Sequence, residues 1–570
     1  MLFIQRKIYF WRAKKIKRNN PKKIKSMKCK KLRFAFIVCL LFSIFPKIVS
    51  AAEGDVLWKT NFGGSRNDYL AAVTEVPNGV VAVGYSQFGS FGNGDWEDII
   101  GKGDIDAIII KFDNEGNVVW KKNFGGIGID RFESVATLSD GIVAVGYSDF
   151  TSFENGDWFE FQRKGIQDAT IVKFDNDGNV LWKNSFGGKN SGYSRYLSVT
   201  ANFDEIVAVG YSDAFGANDL EDISGNGSED AIVVKYDNAG NIVWKSHFGG
   251  KDIDRFFSVT LAADCIVAVG ISYPESFENG DWEIVSCRGG KDAIMVKFDP
   301  NGNVVWKKNF GGSSDDYFYS VTTLSDGFVA GGLSFPNSFG NGDWEMDTCH
   351  GWEDAIIVKF DEEGNVNWKK SFGGAGWDCF YDVTTVPDGI IAVGGSDIFN
   401  SGDWKEITGK GSNDATIVKF DNAGNLLWKM NFGGKDVENY NSVTIVADGI
   451  IAVGYANFDS FDTGDWSTIK GNGWEDAIIV KYAANYAGIE NYEQGQAKIK
   501  VFPNPTTGEL TINNEQLTIN SVEVFDIYGR KIYHLSNLKS QISNQIDISH
   551  LPTGIYFLKI DNQVIKTVKQ

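Results

Sequence analysis

The chain has 570 residues, of which 43% are hydrophobic and 23% are charged. Its formal net charge is −19, and the first 51 residues hold 15 Lys or Arg with no Asp or Glu, so the rest of the chain carries −34. This acidic balance argues against binding to nucleic acid or to an anionic membrane through bulk electrostatics, and it suits an extracellular protein.

The N-terminal segment predicts a secretory signal peptide. A basic head precedes a twelve-residue apolar stretch, Phe34–Phe45, and Val49–Ala51 supplies the small residues of a cleavage site. We predict a signal peptide over residues 1–51, cleaved between Ala51 and Ala52, with Met27 as a second candidate start. The apolar stretch is short for a membrane span, which takes about 20 residues. An N-terminal anchor that is never cleaved is the alternative.

A unit of about sixty residues recurs seven times between Trp58 and Tyr482, as tandem repeats do. Each copy is marked by an Asp-Ala pair, and successive pairs are 62, 62, 62, 62, 60 and 62 residues apart. The marker residues are Asp106, Asp168, Asp230, Asp292, Asp354, Asp414 and Asp476. A unit of this size cannot bury its apolar faces alone, so neighbouring copies must stack.

Each copy predicts four short antiparallel strands. In the fifth copy they are Ser320–Leu324, Phe328–Gly332, Asp354–Phe360 and Asn365–Lys369. Four strands repeated seven times are typical of a β-propeller. The last copy lacks its fourth strand, and Gly54–Trp58 reads as that missing strand, so we predict an all-β, seven-bladed propeller over residues 52–482, closed by the N-terminal strand. The Trp strand is then outermost and the Ser-Val strand lines the channel. A β-solenoid is the alternative.

The repeats resemble the bacterial β-propeller repeats called SBBP. The shared residues are Trp306-x-x-x-Phe310-Gly311-Gly312, the Asp-Gly turn before Val-Ala-Val-Gly-Tyr, and Asp-Ala-Ile-Val-Lys-Phe-Asp-x-x-Gly-Asn. The resemblance covers about three quarters of the chain and implies the propeller fold. It implies little about ligand or activity.

An acidic residue stands four positions after Gly-Gly in six of the copies. These residues are Asp68, Asp130, Asp254, Asp316, Asp378 and Glu438, and Ser194 takes the place in the third copy. Oxygen ligands around a channel mouth could hold Ca²⁺. The alternative, which we favour, is that each acid caps its own loop backbone. Calcium is thus a candidate ligand, and no other cofactor or metal is predicted.

A Gly-Asp-Trp loop provides a second repeated feature. Its tryptophans are Trp96, Trp158, Trp282, Trp344, Trp404 and Trp466, with Leu220 in the third copy. Exposed indole rings could stack on sugars. We favour the alternative that each ring wedges between blades, because a residue needed in nearly every blade is expected to serve the fold.

Departures from the repeat cluster in copies four to six and form a third candidate patch. They are Cys287, Arg288, Cys349, His350, Trp352, Trp377 and Cys379. Repeat drift explains them equally well. The sequence leaves the disulfide state of Cys265, Cys287, Cys349 and Cys379 open; Cys287 and Cys349 hold the same position in adjacent copies, and a disulfide would need their Cα atoms within about 7 Å. With no CxxC and few His, a zinc site is not expected.

The C-terminal residues change character: glycine becomes rarer and the repeat ends. Residues 483–497 read as a linker, and 498–570 predict a small β-sandwich with Pro and Gly at its turns. Three motifs in order resemble the C-terminal sorting domain of the type IX (Por) secretion system of Bacteroidetes. Their characteristic residues are Pro503, Asn504, Pro505, Gly508, Asp526, Gly529, Arg530, Pro552, Gly554 and Tyr556. A terminal sandwich used for binding is the alternative.

The sorting resemblance implies export through the periplasm to the outer-membrane surface or the medium, with the type IX machinery as a partner. No transmembrane segment is expected in the mature chain. The sequence lacks a Gly-x-Ser-x-Gly elbow, an HExxH pair and a phosphate loop. We therefore favour a non-catalytic binding or adhesion module for a glycan or protein. A carbohydrate-active enzyme using acids of the propeller face and a purely structural surface protein are the alternatives.

Overall fold

The computed structural model describes residues 51–189, 191–202, 205–262 and 264–484, and most of the strands after residue 498. In that C-terminal part the described residues are 499–502, 506, 508–514, 521–525, 531–536, 544–549, 551–552, 554–560 and 563–569. The predicted signal peptide, apart from Ala51, and most of the predicted linker lie outside the described residues. Within them, no helix is long and apolar enough to cross a membrane.

Seven four-stranded antiparallel sheets form the blades of a propeller, as predicted. Blade 1 contains β2 (Asp68–Val76), β3 (Gly79–Gln87), β4 (Ile105–Phe112) and β5 (Val118–Phe124). Blade 2 contains β6 (Asp130–Leu138), β7 (Gly141–Asp149), β8 (Gln167–Phe174) and β9 (Val180–Phe186). Blade 3 contains β10 (Ser194–Ala201), β11 (Glu205–Ser212), β12 (Asp230–Asp237) and β13 (Ile242–Phe248). Blade 4 contains β14 (Asp254–Leu261), β15 (Ile266–Ser272), β16 (Asp292–Phe298) and β17 (Val304–Phe310); blade 5 contains β18 (Asp316–Leu324), β19 (Gly327–Ser334), β20 (Asp354–Phe360) and β21 (Val366–Phe372); blade 6 contains β22 (Asp378–Val386), β23 (Gly389–Ser396), β24 (Asp414–Phe420) and β25 (Leu426–Phe432).

Blade 7 joins both ends of the propeller. It contains β26 (Glu438–Val446), β27 (Gly449–Asn457), β28 (Glu475–Tyr482) and the N-terminal strand β1 (Val56–Phe62). β1 pairs antiparallel with β28, with Phe62 opposite Ala477. The predicted closure is therefore confirmed, and it leaves no gap in the ring where an unpaired strand edge would invite aggregation.

The inner strand of each blade starts earlier than predicted and carries a β-bulge. In blade 5 it begins at Asp316 rather than Ser320, because Asp316 pairs with Ser334. In blade 1 the bulge residue is Ala71, and Gly84 faces the bulge on the next strand. A Cβ at Gly84 would come within 1.9 Å of the Tyr69 carbonyl oxygen, which accounts for the Gly of each Val-Ala-Val-Gly-Tyr run.

Apolar side chains of adjacent blades pack together to form the core. One such cluster joins Leu70 and Ile108 of blade 1 to Val453 and Ile479 of blade 7, with Trp96 at its loop end. Hydrogen bonds reinforce the stacking near the axis, where a Val amide donates to a side-chain oxygen of a neighbouring blade. The donor and acceptor pairs are Val73–Ser442, Val199–Ser134, Val259–Ser198, Val321–Ser258, Val383–Ser320 and Val443–Asp382.

Short 3₁₀ turns form the loops between the second and third strands. They are Phe88–Ser90, Gly94–Trp96, Gly156–Trp158, Asn218–Leu220, Pro274–Ser276, Gly280–Trp282, Pro336–Ser338, Gly342–Trp344, Gly402–Trp404, Phe458–Ser460 and Gly464–Trp466. These turns and the Gly-Gly connections between blades emerge together on one side of the propeller, which we call the loop face.

The C-terminal part contains two antiparallel sheets. Their strands are β29 (Ile499–Phe502), β30 (Glu509–Asn514), β31 (Ser521–Phe525), β32 (Lys531–Ser536), β33 (Asn544–Asp547), β34 (Gly554–Ile560) and β35 (Gln563–Lys569), ordered β29-β30-β33 and β32-β31-β34-β35. The predicted sandwich packing of these sheets stays a prediction.

Some of the predicted sorting-motif residues have clear roles in these sheets. The Tyr556 hydroxyl donates to the Pro552 carbonyl oxygen at 2.9 Å. Gly508 has a φ of 144°, a left-handed value that favours glycine. Gly554 begins β34. The remaining motif positions, Pro503, Asn504, Pro505, Asp526, Gly529 and Arg530, lie outside the described residues.

Candidate functional site

The six repeated acids are buried in their own blades. Asp68 is 0% exposed and accepts hydrogen bonds from the Gly64 amide (2.8 Å), the hydroxyls of Ser86 (2.5 Å) and Ser90 (2.8 Å), and Trp96 Nε1 (2.8 Å). We call this carboxylate with its donors the loop cap. Asp130, Asp254, Asp316, Asp378 and Glu438 are likewise 0–1% exposed. Among the described residues no three His, Cys, Asp or Glu side chains are placed to share a metal ion. The six acids therefore lie inside their blades, and the calcium hypothesis stays a prediction.

Burial raises the pKa of every one of these acids. The pKa is raised to about 6 for Asp68, Asp130, Asp254 and Asp316, to about 7 for Asp378 and to about 8 for Glu438. Desolvation penalises the ionised form, and the hydrogen bonds of the cap offset only part of that penalty.

These shifts predict a propeller that is more stable at pH 5 than at pH 8. A carboxyl with a raised folded-state pKa contributes stability that is fully present below its unfolded value of about 4 and is lost as pH rises through its folded value. The window is thus about pH 4 to 8. We expect the urea midpoint of the exported chain to rise on going from pH 8 to pH 5, and Asp68→Asn to reduce that rise. An equal or lower midpoint at pH 5 would contradict the expectation.

The loop tryptophans are buried between blades rather than exposed. Trp96 is 0% exposed and its ring meets Phe62 of blade 7 edge-on, with centroids 4.8 Å apart. Trp158, Trp282, Trp344, Trp404 and Trp466 are 0–1% exposed. None of these six rings is therefore exposed for stacking on a sugar, and in the structure the rings are wedged between blades.

Blade 3 departs from the pattern at two linked positions. It has Ser194 in place of the acid and Leu220 in place of the Trp, and the Ser194 hydroxyl bonds to Ser212 Oγ at 2.8 Å. A leucine has no N–H to satisfy, so the buried carboxylate is no longer needed. With both changes, neither position has a buried side-chain polar atom without a hydrogen-bond partner.

Blade 7 shows an incomplete loop cap. Glu438 accepts from the Gly434 amide at 2.9 Å, but its Oε2 and Trp466 Nε1 are buried without a hydrogen-bond partner. The residue opposite Glu438 is Ala456, where blade 1 has Ser86 opposite Asp68. The longer acid thus occupies the space of the absent serine hydroxyl.

The double variant Glu438→Asp/Ala456→Ser is expected to stabilise the propeller by about 1–2 kcal/mol, because a buried unpaired N–H costs about 1–3 kcal/mol. Each single change should help less or destabilise, since one leaves a void and the other crowds the site. Urea unfolding of the four proteins of this cycle measures the coupling. A double variant no more stable than the parent would show that Trp466 gains no acceptor.

A second ring of contacts accounts for part of the irregular patch in blades 4 to 6. In each blade a basic or amide side chain just before the marker Asp reaches the Asp of the next Gly-Asp-Trp loop. The pairs are Lys102–Asp157, Lys164–Asp219, Asn226–Asp281, Arg288–Asp343, His350–Asp403, Lys410–Asp465 and Asn472–Asp95. Arg288 and His350 are therefore members of a repeated interblade contact.

The four cysteines among the described residues, three of them in the irregular patch, are free thiols. Cys265 and Cys379 are buried, whereas Cys287 and Cys349 are half-buried and lie beside the marker acids of their own blades. Burial raises the pKa of Cys287 to about 11, so the thiol form is favoured at neutral pH.

The repeat is broken most strongly where the inner strands face the channel. The bulge residues of the seven strands line one cavity of about 340 Å³, and they are Ala71, Glu133, Leu197, Phe257, Tyr319, Tyr381 and Asn441. The next position is Ser in five blades, with Ala72 and Asp382 as the exceptions. A pocket of this size lies at the lower end of the ligand-site range, about 300–1,000 Å³.

The inner strands carry a basic group of residues between the cavity lining and the loop face, and an aromatic group within the lining. The second residues of the inner strands are Tyr69, Arg131, Arg195, Arg255, Tyr317, Cys379 and Asn439. Three adjacent blades thus supply arginines, whereas blades 4 to 6 supply Phe257, Tyr319 and Tyr381 just below. The predicted site residues include the acid at the start of these strands but not the arginine that follows it. The Asp-Arg-Phe sequence of copies two and four was the signal that could have identified these arginines.

The two acids in the cavity differ in their engagement. Asp382 accepts from Ser320 Oγ (2.6 Å) and from the amides of Val383 (2.9 Å) and Val443 (2.9 Å), so it links blades 5, 6 and 7. Glu133 is held near Arg131 and Arg195, and burial raises its pKa. Glu133 is therefore the cavity carboxyl that could meet a ligand.

Residues 500–570 match the family described as the secretion system C-terminal sorting domain. The chain carries a type IX sorting domain. A chain with this domain is exported by the type IX secretion system to the cell surface or the extracellular space. The predicted recognition, export route and localisation are thereby confirmed.

Two curated proteins match parts of the chain. Regulatory protein FlaEY of Caulobacter vibrioides is 28% identical over 187 residues, covering 31% of this chain and 19% of that protein. An uncharacterized WD repeat-containing protein of Acanthamoeba polyphaga mimivirus is 32% identical over 115 residues, covering 19% of this chain and 8% of that protein. The chain thus spans less than a fifth of the length of either relative.

Among solved structures, the WD40 β-propeller domain of Doa1 is similar at 10% identity, with a TM-score of 0.38 and coverage of 76% of this chain and 99% of that chain. A putative 6-phosphogluconolactonase from Bacteroides uniformis is similar at 10% identity, with a TM-score of 0.33 and coverage of 66% and 92%. The blade count rests on the strand pairing of the chain itself.

Proposed function

We propose that the propeller is a non-catalytic binding or adhesion module, displayed or released by the type IX route, with its ligand site at the channel mouth on the loop face. The observation that carries the proposal is the loss of repeat symmetry at the seven bulge residues of the cavity. The acids and tryptophans repeated in nearly every blade are buried, so they serve the fold. A ligand site must be local even on a repeated scaffold, and the channel is where the blades differ.

The carbohydrate-active enzyme is less well supported by the same residues. Glycoside hydrolysis takes two carboxyl groups facing one sugar, one of them free to move a proton. Of the two acids in the cavity, Asp382 is engaged by three donors, two of them from neighbouring blades, which leaves Glu133 without a free carboxyl partner in the described lining. One carboxyl in a cavity of hydroxyls and aromatic rings suits recognition better than hydrolysis.

The proposed organisation follows from these assignments. A signal peptide over residues 1–51 is removed between Ala51 and Ala52, and the propeller over 52–482 is joined by the linker 483–497 to the sorting domain. The type IX machinery is the export partner, and an extracellular glycan or protein is the ligand.

The proposal is tested with the exported protein on a glycan array and in pull-downs from cell surfaces, each with and without Ca²⁺. We expect a ligand whose binding is lost in Tyr381→Ala, at the channel, and kept in Phe458→Ala, a 56% exposed apolar residue on the loop-face rim. Glu133→Gln separates binding from catalysis: it should keep binding, and no bound glycan should be cleaved by the parent protein. Cleavage abolished by Glu133→Gln would establish the enzyme instead.

A further inference from the structure

Three arginines, Arg131, Arg195 and Arg255, take the second position of the inner strands of blades 2, 3 and 4, two residues before the bulge residues that line the cavity. Each guanidinium lies over a tyrosine ring of the preceding blade. The Cζ-to-centroid distances are 4.0 Å for Arg131–Tyr85, 4.3 Å for Arg195–Tyr147 and 4.4 Å for Arg255–Tyr211. Stacking on an aromatic face fixes the plane of the guanidinium and leaves its edge donors free for an anion. We call Arg131, Arg195 and Arg255 the arginine arc.

The positive charge of the arc is neutralised unevenly. Arg255 pairs with Glu229, with Nη2 and Oε2 2.6 Å apart. Arg195 Nε donates to the neutral amide oxygen of Gln167 at 2.6 Å. The equivalent residue facing Arg131 is Ile105, which offers no acceptor, and Arg131 Nε is buried without a hydrogen-bond partner among the described residues. An unpaired buried donor on a fixed cation is the group that a ligand oxygen would satisfy.

Glu133 cancels at most part of this charge, because it is a single acid near both Arg131 and Arg195. It stands two residues after Arg131, at the bulge of the same strand. Burial raises the pKa of its carboxyl, and the two arginines lower it. The arc is therefore a basic feature within a chain whose net charge is −19.

The other side of the same mouth offers flat apolar faces. Phe257 and Tyr319 stack at 5.6 Å, Tyr319 and Tyr381 lie 5.7 Å apart, and Trp377 lies 6.1 Å from Tyr381. Between the two sides, serine hydroxyls line the cavity; the oxygens of Ser134, Ser198 and Ser258 accept Val amides, which leaves these three hydroxyl hydrogens to donate. Aromatic faces complement the C–H face of a pyranose, and the serines complement its hydroxyls.

We propose that the channel mouth binds an anionic sugar of an acidic polysaccharide, with the carboxylate or sulfate on the arginine arc and the sugar ring against the aromatic side. The inference rests on the proposed function and names the ligand class of the same site. Guanidinium groups in a fixed plane suit the two oxygens of a carboxylate or sulfate. A cavity of about 340 Å³ admits a terminal sugar rather than a long segment of chain.

The test measures binding of the purified full-length exported protein by calorimetry to four probes: oligogalacturonate, chondroitin sulfate, neutral galactan and polyglutamate. We expect binding to one or both anionic glycans that weakens with added salt, and none to galactan or polyglutamate. Oligogalacturonate alone would identify a carboxylate site, and chondroitin sulfate alone a site that takes sulfate.

Variants of the arginine arc test whether binding depends on the charge of the arginines or only on their contact with the ligand. Arg131→Gln and Arg195→Gln should each weaken anionic-glycan binding at least tenfold, and Arg131→Lys should weaken it less. Arg163→Gln is the matched control, because Arg163 is an exposed loop-face arginine outside the channel, and it should change binding less than twofold. Equal melting temperatures of the four variants exclude loss of fold as the cause.

Several results would overturn the inference. Equal binding of galactan, tighter binding of polyglutamate, or unchanged affinity in both arc variants would each do so. Loss of binding in Tyr381→Ala with unchanged Arg131→Gln would keep the channel mouth as the ligand site and reject the anionic sugar. Absence of binding to all four probes rejects the inference, and the cell-surface pull-downs then decide the proposed function separately.

Discussion

A chain ending at residue 497 is expected to accumulate folded in the periplasm instead of reaching the cell surface or the medium. The truncation removes the sorting domain, matched over residues 500–570, and leaves every strand of the propeller in place. Blade 7 closes through β1 and β28, so the ring of blades is complete without the removed residues. Cell fractionation with an antibody to the propeller measures the effect, which should be nearly complete.

The matched control separates export from folding. The truncated protein purified from the periplasm should melt at the temperature of the propeller in the full chain. A reporter protein carrying residues 498–570 behind a signal peptide should appear at the surface or in the medium. Truncated propeller found outside the cell at the level of the full chain would contradict a sorting role for these residues.

The fold could be predicted from the sequence because the pattern of apolar runs and turns that specifies it is periodic. Each copy repeats the same apolar runs and turns, and the strand missing after Tyr482 is present at Val56–Phe62. Blade number, closure and the order of strands follow from that pattern. The C-terminal motifs likewise lie in a fixed order that composition alone would not produce.

The channel site could not be predicted in the same way. A β-bulge breaks the alternation of inward and outward side chains, so that both Glu133 and Ser134 face the cavity. The repeated acids were named as candidate ligands for a different reason. A sequence gives the charge of a side chain but not its burial. Asp68 looks like a surface ligand until the register places it against Ser86 and beneath Trp96.

Asp68→Ala is expected to destabilise the propeller by about 3–5 kcal/mol, because each buried donor left without its acceptor costs about 1–3 kcal/mol while the burial penalty of the carboxylate is relieved. The change strands four buried donors at once: the Gly64 amide, two serine hydroxyls and the Trp96 indole. Chemical unfolding of the exported chain at pH 7 measures the loss as a shift of the midpoint. Blade 3 supplies the matched control, because Ser194→Ala removes a single neutral hydrogen bond, to Ser212, worth about 1 kcal/mol.

Blade 3 also shows how the destabilisation caused by losing the repeated acid can be reduced. It combines Ser194 with Leu220, and the double variant Asp68→Ser/Trp96→Leu places the same two residues in blade 1. The double variant should be less destabilised than the sum of its two single changes, because the Leu removes the indole N–H that the lost carboxylate leaves unpaired. Additive losses, or an Asp68→Ala cost no larger than that of Ser194→Ala, would show that the carboxylate does not hold the loop. The coupled loss expected here means that the repeated acids take part in the packing between blades. The irregular channel residues then remain as the positions of the propeller whose side chains can vary to suit a ligand.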